Sequence, residues 1–405
     1  MNGTTEEWHE VCGAEMPAQD LVRGWSPKEP EAHRNFIDRK IDALGGRHGA
    51  SLLERVITAP ENELRPRFGG AAAAAFAISL LVVTSNLLIN LAGLYLIIWG
   101  WPDIISILGG LMLAALAWTL WPQLGFVPED CLRRREFPNL FSMLDGIAAQ
   151  LSIKPVEHVR VDHRFASSLT EVGRERTPVL TIGLPLWASL GGQERVALIG
   201  HELAHRANGD PARGTVVGCG LAVLDRWLDL TAPADERSFA DVATHLVMRL
   251  LGGAVGAVRA LLARLLFLDS QRAEYLADHL AAKIAGPVAT VKLLGKLGLD
   301  RKLKAVAERA YYADDADGRQ PAGDVFRNFV ETMPDGEGEA IGRTGERENS
   351  RTDAAHPPTA SRVRFIRSRH FELPLVVLSD TLSRAIDEEL RPFREGFAAV
   401  FVEPR

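Results

Sequence analysis

Charge is almost absent from one long stretch of this 405-residue chain. Between Phe68 and Pro128 the sole formal charge is Asp103, although charged residues make up 24% of the sequence. Such a run excludes an ordinary water-exposed surface and is typical of segments within a lipid bilayer. The remainder is as charged as a soluble protein, so we expect a chain that combines membrane and aqueous parts.

The chain has few cysteines, no net positive charge and no apolar run at its N-terminus. The three cysteines, Cys12, Cys131 and Cys219, have no metal-type spacing and predict no disulfide framework, which fits a reducing, cytoplasmic setting. A net charge of −6 excludes a global basic field, so no nucleic-acid partner is expected. Residues 1–30 contain no apolar run and do not predict a secretory signal peptide.

The uncharged stretch predicts a transmembrane helical hairpin over residues 68–128. Residues 71–99 and 104–121 are the two apolar runs, and a span needs about 20 such residues. The sequence Gly-Trp-Pro at 100–102 marks the turn between them. A buried hairpin in a soluble protein is the alternative.

Basic residues flank this hairpin on both sides. Arg65 and Arg67 precede it, residues 133–135 are all arginine, and the turn has no Lys or Arg. By the positive-inside rule both flanks lie in the cytoplasm. We therefore expect a multi-pass protein of the cell membrane (inner or plasma membrane), with the part after residue 130 on the cytoplasmic side.

The rest of the chain favours an α+β fold that is mainly helical. Residues 1–67 are predicted to form a soluble N-terminal arm, and residues 313–358 a flexible low-complexity loop. Residues 214–232 and 242–268 are apolar but interrupted by charges, which favours amphipathic or membrane-associated helices; two further spans are the alternative. Short strands are predicted at 154–162 and 177–183, and helices at 136–153, 192–209, 360–369 and 380–397.

The motif His-Glu-Leu-Ala-His at 201–205 carries the strongest chemical signal. His201 and His205 are four residues apart, so on a helix they lie on one face and can bind one metal ion. Glu202 is rotated about 100° away from His201. It can therefore take a proton from a metal-bound water rather than bind the metal.

A third ligand is expected from the helical stretch at 270–286. Glu274 and Asp278 lie one turn apart there among apolar residues, and His279 is a further candidate that turns away from the face of Glu274. Asp210 could orient a ligand histidine, or it could be a turn residue after Gly209. A solvated helix face is the alternative for the two acids.

Together these motifs resemble the HtpX and CAAX-prenyl-protease family of membrane zinc metallopeptidases, which carry His-Glu-x-x-His. The resemblance rests on HELAHRANGD, on SQRAEYLADHLAA and on AAHPPTASRVRFI at 354–366, and it spans about residues 68–370. It implies a zincin-like metallopeptidase domain with a small sheet over 129–312, completed by a C-terminal helical part at 359–405. The hairpin would anchor this domain in the membrane.

The resemblance also implies roles for individual residues. His201, His205 and Glu274 would bind one Zn²⁺ per chain, and Glu202 would be the general base. Asp278 would support a ligand from behind.

Two further roles are implied at the His-Pro segment. His356 would stabilise the oxyanion of the tetrahedral intermediate, and Arg362 would hold this segment or the substrate in position. The sequence departs from the family at 163–166, where His-Arg-Phe-Ala replaces a common Asn-Ala-Phe-Ala, and at 211–269, where HtpX-like members carry two spans.

The sequence thus predicts a membrane-anchored zinc endopeptidase whose catalytic domain is cytoplasmic and in which zinc-bound water attacks the peptide bond. Its partners would be the lipid bilayer and polypeptide substrates, unfolded or membrane proteins, in quality control or a stress response. The strand at 177–183 would bind an extended peptide along its edge. The alternatives are a narrow-specificity processing protease of the CAAX type, and a non-catalytic binding or signalling module that retains the metal fold. The oligomeric state is not predicted.

Overall fold

The computed structural model describes residues 49–64, 69–121, 125–173, 175–208, 210–232, 239–297 and 356–395. The first 48 residues of the predicted arm, and all of the predicted loop before His356, lie outside this part of the chain. After the helical residues 49–58, the helices of this part are α1 Glu61–Leu64, α2 Gly70–Trp99, α3 Ile104–Thr119, α4 Pro138–Gln150, α5 Leu184–Ser189, α6 Gly192–Ala207, α7 Asp210–Leu230, α8 Phe239–Ala285, α9 Pro287–Leu297, α10 Thr359–Arg367, α11 Asp380–Glu389 and α12 Arg391–Glu395.

The chain divides into two compact units. The sheet unit comprises Met1–Arg65, Val127–Asn208 and Gln271–Arg405, and the helical unit comprises Pro66–Phe126 and Gly209–Ser270. The predicted domain at 129–312 is therefore divided between the two units. The fold is mainly helical with a small sheet, as expected.

The small sheet has three strands, β1 His158–Asp162, β2 Ser167–Val172 and β3 Thr177–Gly183. Their order is β1-β3-β2, with β3 parallel to β1 and antiparallel to β2. The expectation of a free edge on the strand at 177–183 is wrong, because this strand is paired on both sides. Its apolar residues fit that central place, since a buried strand needs no polar face.

The core of the sheet unit lies between the sheet and the helices α4, α6 and α9. Its largest buried side chains include Phe141, Leu144, Leu180 and Trp187, each at most 1% exposed. Helix α6 begins at a loop glycine, where the Glu194 carboxylate accepts a hydrogen bond from the Gly191 N–H at 2.9 Å. This contact satisfies an N–H that the helix itself leaves open.

Part of the predicted soluble arm belongs to a second core of the same unit. Residues 49–58 are helical, and Leu52, Leu53 and Val56 are at most 5% exposed. They pack in one cluster with Tyr275 and Phe365.

The helical unit is built from α2, α3, α7 and the first part of α8. Helices α2 and α3 approach so closely at Gly93 that a Cβ atom there would lie 2.7 Å from the Gly110 carbonyl oxygen. The Asp103 side chain accepts a hydrogen bond from the Ser106 N–H at 2.9 Å and caps α3. On the other two helices Asp225 pairs with Arg259.

Among the residues that the structure describes, two helices are long and apolar enough to cross a membrane, judged by length and composition alone. They are Gly70–Trp99 and Leu246–Ala285, and Ile104–Thr119 is a shorter apolar helix. Helix α8 runs without a break through the predicted segments 242–268 and 270–286, because no proline interrupts Phe239–Ala285. The helix ends before Gly286, whose φ is +91°. Both expectations for 242–268, an amphipathic helix and a further span, stay predictions.

Candidate metal centre

Helix α6 presents His201 and His205 from the same face. One side of the helix is anchored by apolar residues such as Val196, Ile199 and Leu203, all 0% exposed. The two Nε2 atoms lie 3.3 Å apart, and the ring planes meet at 89°. Both ring nitrogens therefore converge on one point, as the spacing of four residues predicts.

Glu274 on α8 completes a group of three ligands. Its Oε2 lies 3.5 Å from the Nε2 of His201, and its Oε1 lies 3.5 Å from the Nε2 of His205. Donor atoms of a tetrahedral zinc site with bonds of about 2.0–2.1 Å are separated by about 3.3 Å. The two histidines and one carboxylate therefore fit a zinc ion, and they leave a fourth position open.

A buried ion pair holds His201 from behind. Asp278 Oδ1 lies 3.2 Å from Nδ1 of His201, and Arg362 donates two hydrogen bonds to the Asp278 carboxylate, at 2.8 and 2.6 Å. Asp278 is 0% and Arg362 4% exposed. A carboxylate on Nδ1 keeps the proton there and leaves Nε2 free to bind a metal.

The carboxylates shift the titration of the histidine that they surround. Burial lowers the pKa of His201, but hydrogen bonds to Asp278 and Glu274 outweigh burial and raise it to about 10. Burial raises the pKa of Glu274, and hydrogen bonds to His201 and His356 outweigh it, so that the pKa lies well below the usual range. Because ligands bind a metal in their deprotonated form, a metal ion at His201 would compete with this proton.

The His-Pro segment also reaches the site. His356 Nδ1 lies 2.6 Å from Glu274 Oε2, and its ring centroid lies 6.4 Å from that of His201. The His356 side chain is 54% exposed. His356 thus contacts the carboxylate of Glu274, the third ligand. Its role as an oxyanion donor stays a prediction.

Glu202 points from α6 towards the sheet. Its Oε2 accepts a hydrogen bond from the backbone N–H of Leu169 at 3.2 Å. Burial is the largest influence and raises the pKa of Glu202, while the neighbouring His201 and His205 lower it. A carboxylate with a raised pKa is suited to take up a proton.

Strand β2 was not predicted from the sequence, although it contacts Glu202. Its sequence Ser-Ser-Leu-Thr-Glu-Val alternates weakly, and so it lacks the apolar signal of a strand. It pairs with β3 along one edge, and its Leu169 N–H is bonded to Glu202. Leu169 is therefore a residue of the site that sequence reasoning missed.

The segment His163–Ala166 is shaped by a glycine. A Cβ atom at Gly183 would lie 2.0 Å from the Arg164 carbonyl oxygen and 2.2 Å from that of Ala166. Only a residue without a side chain permits this approach. The sequence signal was present, since a glycine ends an otherwise apolar strand.

Two other candidates from the sequence are placed elsewhere. His279 faces Phe371, with ring centroids 5.2 Å apart, and its Nε2 lies 3.3 Å from Glu61 Oε2. It therefore takes no part in the group of ligands. Asp210 begins α7 rather than a turn, and its side chain lies outside the described part of the structure.

Comparison with known proteins identifies one family. The model of peptidase family M48 matches residues 179–370, a segment that includes His201, Glu202, His205, Glu274 and His356. The comparisons with curated proteins and with solved structures gave no match. The family match confirms the resemblance that the sequence motifs carry.

Proposed function

We propose that this chain, in which residues 179–370 match peptidase family M48, is a membrane-anchored, zinc-dependent endopeptidase. The family match implies a metallopeptidase; the metal, the mode of cleavage and the anchor are our proposals. One observation carries most weight, namely that His201, His205 and Glu274 bring ligand atoms within 4.8 Å of one another.

The donor set favours zinc. Two imidazoles and one carboxylate are ligands of catalytic zinc sites, which keep one position for water or substrate. When bound, zinc would polarise the scissile carbonyl and activate water as a nucleophile. The chain's own contribution is to fix these three ligands, with Asp278 and Arg362 holding His201 from behind.

Glu202 would move the proton. Its carboxylate lies beside the ligand histidine and accepts a hydrogen bond from the Leu169 N–H. A carboxylate in this position can take a proton from the attacking water and pass it to the amine that leaves. The raised pKa of Glu202 supports this role, because the carboxyl group then holds the proton more readily.

His356 would stabilise the developing negative charge. Its ring reaches Glu274 through Nδ1, so Nε2 is the nitrogen that could donate to an oxyanion. Arg362 and Asp278 form a buried pair and act by positioning.

The substrate would be an extended polypeptide that pairs with β2. This strand is at one edge of the sheet, and the N–H of Leu169 is directed out of the sheet to Glu202. An edge strand can bind any extended backbone through main-chain hydrogen bonds, which supports broad specificity. The neighbouring segment His163–Ala166 would line the same edge. Unfolded or membrane proteins are therefore the proposed substrates, in a quality-control or stress-response role.

The helical unit would be the membrane anchor. Its long helix α2 exposes large side chains such as Leu81 and Trp99, at 71% and 69%. Arg65, Arg67 and Arg133 flank the apolar segments, which supports a cytoplasmic catalytic domain in the cell membrane.

The test is proteolysis by the purified full-length protein in detergent. We expect an unfolded protein substrate to be cleaved, cleavage to stop when a chelator removes the metal, and the Glu202→Gln variant to be slower by about 10³-fold while still binding zinc. Glu175→Gln, an exposed carboxylate change in the β2–β3 turn, is the matched control and should be fully active.

Each outcome decides between the candidate functions. Equal activity of Glu202→Gln and the wild type would overturn the mechanism. Cleavage of one peptide only would indicate a narrow processing protease. Tight zinc binding without any cleavage would indicate a binding module.

A further inference from the structure

The N-terminal segment 49–64, which we call the clasp, lies outside the residues that the family model matches. It nevertheless packs into the sheet unit. Leu52, Leu53, Val56 and Leu64 are at most 5% exposed, so the clasp buries an apolar face along its whole length. Segments that bury this much apolar surface are integral parts of a fold rather than free arms.

The clasp contacts both helices that hold the metal site from behind. On α8 it packs against Tyr275, the residue after Glu274, and on α10 it packs against Phe365, one turn after Arg362. Tyr275 and Phe365 also pack on each other, with ring centroids 5.1 Å apart. The clasp therefore covers the junction of the helix that carries Asp278 and the helix that carries Arg362.

Arg369 ties the clasp to the end of α10. Its guanidinium donates hydrogen bonds to the carbonyl oxygens of Ala59, at 2.8 and 2.9 Å, and of Val56, at 3.3 Å. Val56 is in the last turn of the helical stretch 49–58 and Ala59 follows it, and a helix leaves its last carbonyls without internal donors. Arg369 thus satisfies them and fixes the orientation of the clasp.

Glu61 ties the clasp to α8. Its carboxylate accepts two hydrogen bonds from Lys283 Nζ, at 3.0 and 3.1 Å, and its Oε2 lies 3.3 Å from Nε2 of His279. Tyr275, His279 and Lys283 are spaced by four residues and form a stripe beside the stripe of Glu274 and Asp278. The clasp therefore contacts α8 along a row of side chains that is offset by one residue from Glu274 and Asp278, which belong to the metal centre.

We propose that the clasp is a positioning element of the metal centre, which holds α8 and α10 together so that Glu274 and the Asp278–Arg362 pair keep their places around His201. The metal centre of this chain then depends on an N-terminal segment outside the family domain. Glu61 and Arg369 are its positioning residues, and they act through α8 and α10 without touching the substrate. This inference uses the zinc site of the proposed function.

The experiment measures zinc affinity in full-length protein by competition with a chromogenic chelator. Supporting groups behind metal ligands commonly change metal affinity by 10–100-fold, so we expect Glu61→Lys and Arg369→Gln each to raise the zinc dissociation constant by roughly 10-fold. Glu63→Lys changes the same charge at an exposed neighbouring position and is the matched control, with an unchanged constant. At saturating zinc the KM for a peptide should stay the same.

A charge swap separates positioning from general destabilisation. Glu61→Lys combined with Lys283→Glu restores the ion pair in reverse, and we expect it to recover most of the zinc affinity. Thermal unfolding of the metal-free variants is measured in parallel. A lower melting temperature with unchanged zinc affinity would overturn the inference, as would an effect of Glu63→Lys equal to that of Glu61→Lys.

The inference and the proposed function fail in different ways. If the wild type bound no zinc, both would be overturned. If the wild type bound zinc and the clasp variants bound it equally well, only the positioning role would be overturned.

Discussion

The sheet unit and the helical unit distribute polar and apolar side chains in opposite ways. In the sheet unit large apolar residues such as Phe141 and Leu180 are buried, and Glu274, Asp278 and Arg362 form a group of buried charges beside His201. In the helical unit α2 buries small or polar residues, Ala72, Ala75, Ser79, Asn86 and Gly93, while leucines and tryptophans face outward.

The proposed membrane anchor accounts for this difference. A contiguous exposed apolar surface is unfavourable in water. In lipid, small residues let helices approach, and outward leucines meet acyl chains at no disadvantage. The comparison supports a membrane anchor for one unit and an aqueous metallopeptidase for the other.

The largest expected effect tests whether buried charge stabilises the sheet unit. In Arg362→Met, Asp278 loses its bidentate partner inside the protein. Removing one member of a buried pair destabilises by about 3–5 kcal/mol, and we expect a loss of this size in urea unfolding. Arg391→Met, in an exposed pair with Glu388, should change stability by at most about 1 kcal/mol. Equal losses would contradict the assignment.

The second prediction is that added zinc stabilises the sheet unit and leaves the helical unit unchanged. Zinc at about 100 times its dissociation constant stabilises a native site by about 2.7 kcal/mol. We expect hydrogen exchange to slow in α6 and in the last part of α8, and to stay unchanged in α2 and α3. His205→Ala is the control, because it lacks one ligand. Equal slowing in all four helices would break the contrast between the units.

A glycine substitution tests the packing of the helical unit. In Gly93→Val the new side chain meets the backbone of α3, since even a Cβ would lie 2.7 Å from the Gly110 oxygen. Overpacking destabilises by about 1–3 kcal/mol, which thermal unfolding in detergent would measure. Leu81→Ala, at an exposed leucine, should have little effect. A larger loss for Leu81→Ala would show that this leucine is packed inside.

The smallest expected effect concerns the segment beside β2. In Gly183→Ala the methyl group would displace the backbone of Arg164 and Ala166. We expect kcat/KM for an unfolded substrate to fall about 10-fold, or about 1.4 kcal/mol, with zinc affinity unchanged. Gly146→Ala, where a Cβ meets open space on α4, is the control. Loss of zinc from Gly183→Ala would point to a wider disturbance of the site.

Local patterns predicted the helices of the chain better than its sheet. The apolar runs at 71–99 and 104–121 correspond to α2 and α3, because helical hydrophobicity is a local property. Strand β2 escaped prediction because its stability comes from pairing with β3 rather than from its own side chains. The sequence did not predict that β3 is the central strand for the same reason.

The metal ligands were predicted by two different kinds of reasoning. The spacing of His201 and His205 predicted one shared face, whereas Glu274, Asp278, His356 and Arg362 needed the family resemblance as well. The structure brings all six side chains into one group of contacts. The clasp was predicted only as a soluble arm, because its contacts lie with residues far along the chain.

By itself the sequence determined the features that depend on neighbouring residues. These are the shared face of His201 and His205 and the uncharged helices α2 and α3. Only the tertiary structure decided that Glu274 meets these histidines, that Leu169 binds Glu202, and that the clasp packs behind α8 and α10. Helical geometry repeats every few residues and can be read locally, whereas long-range packing is chosen by the free energy of the whole fold.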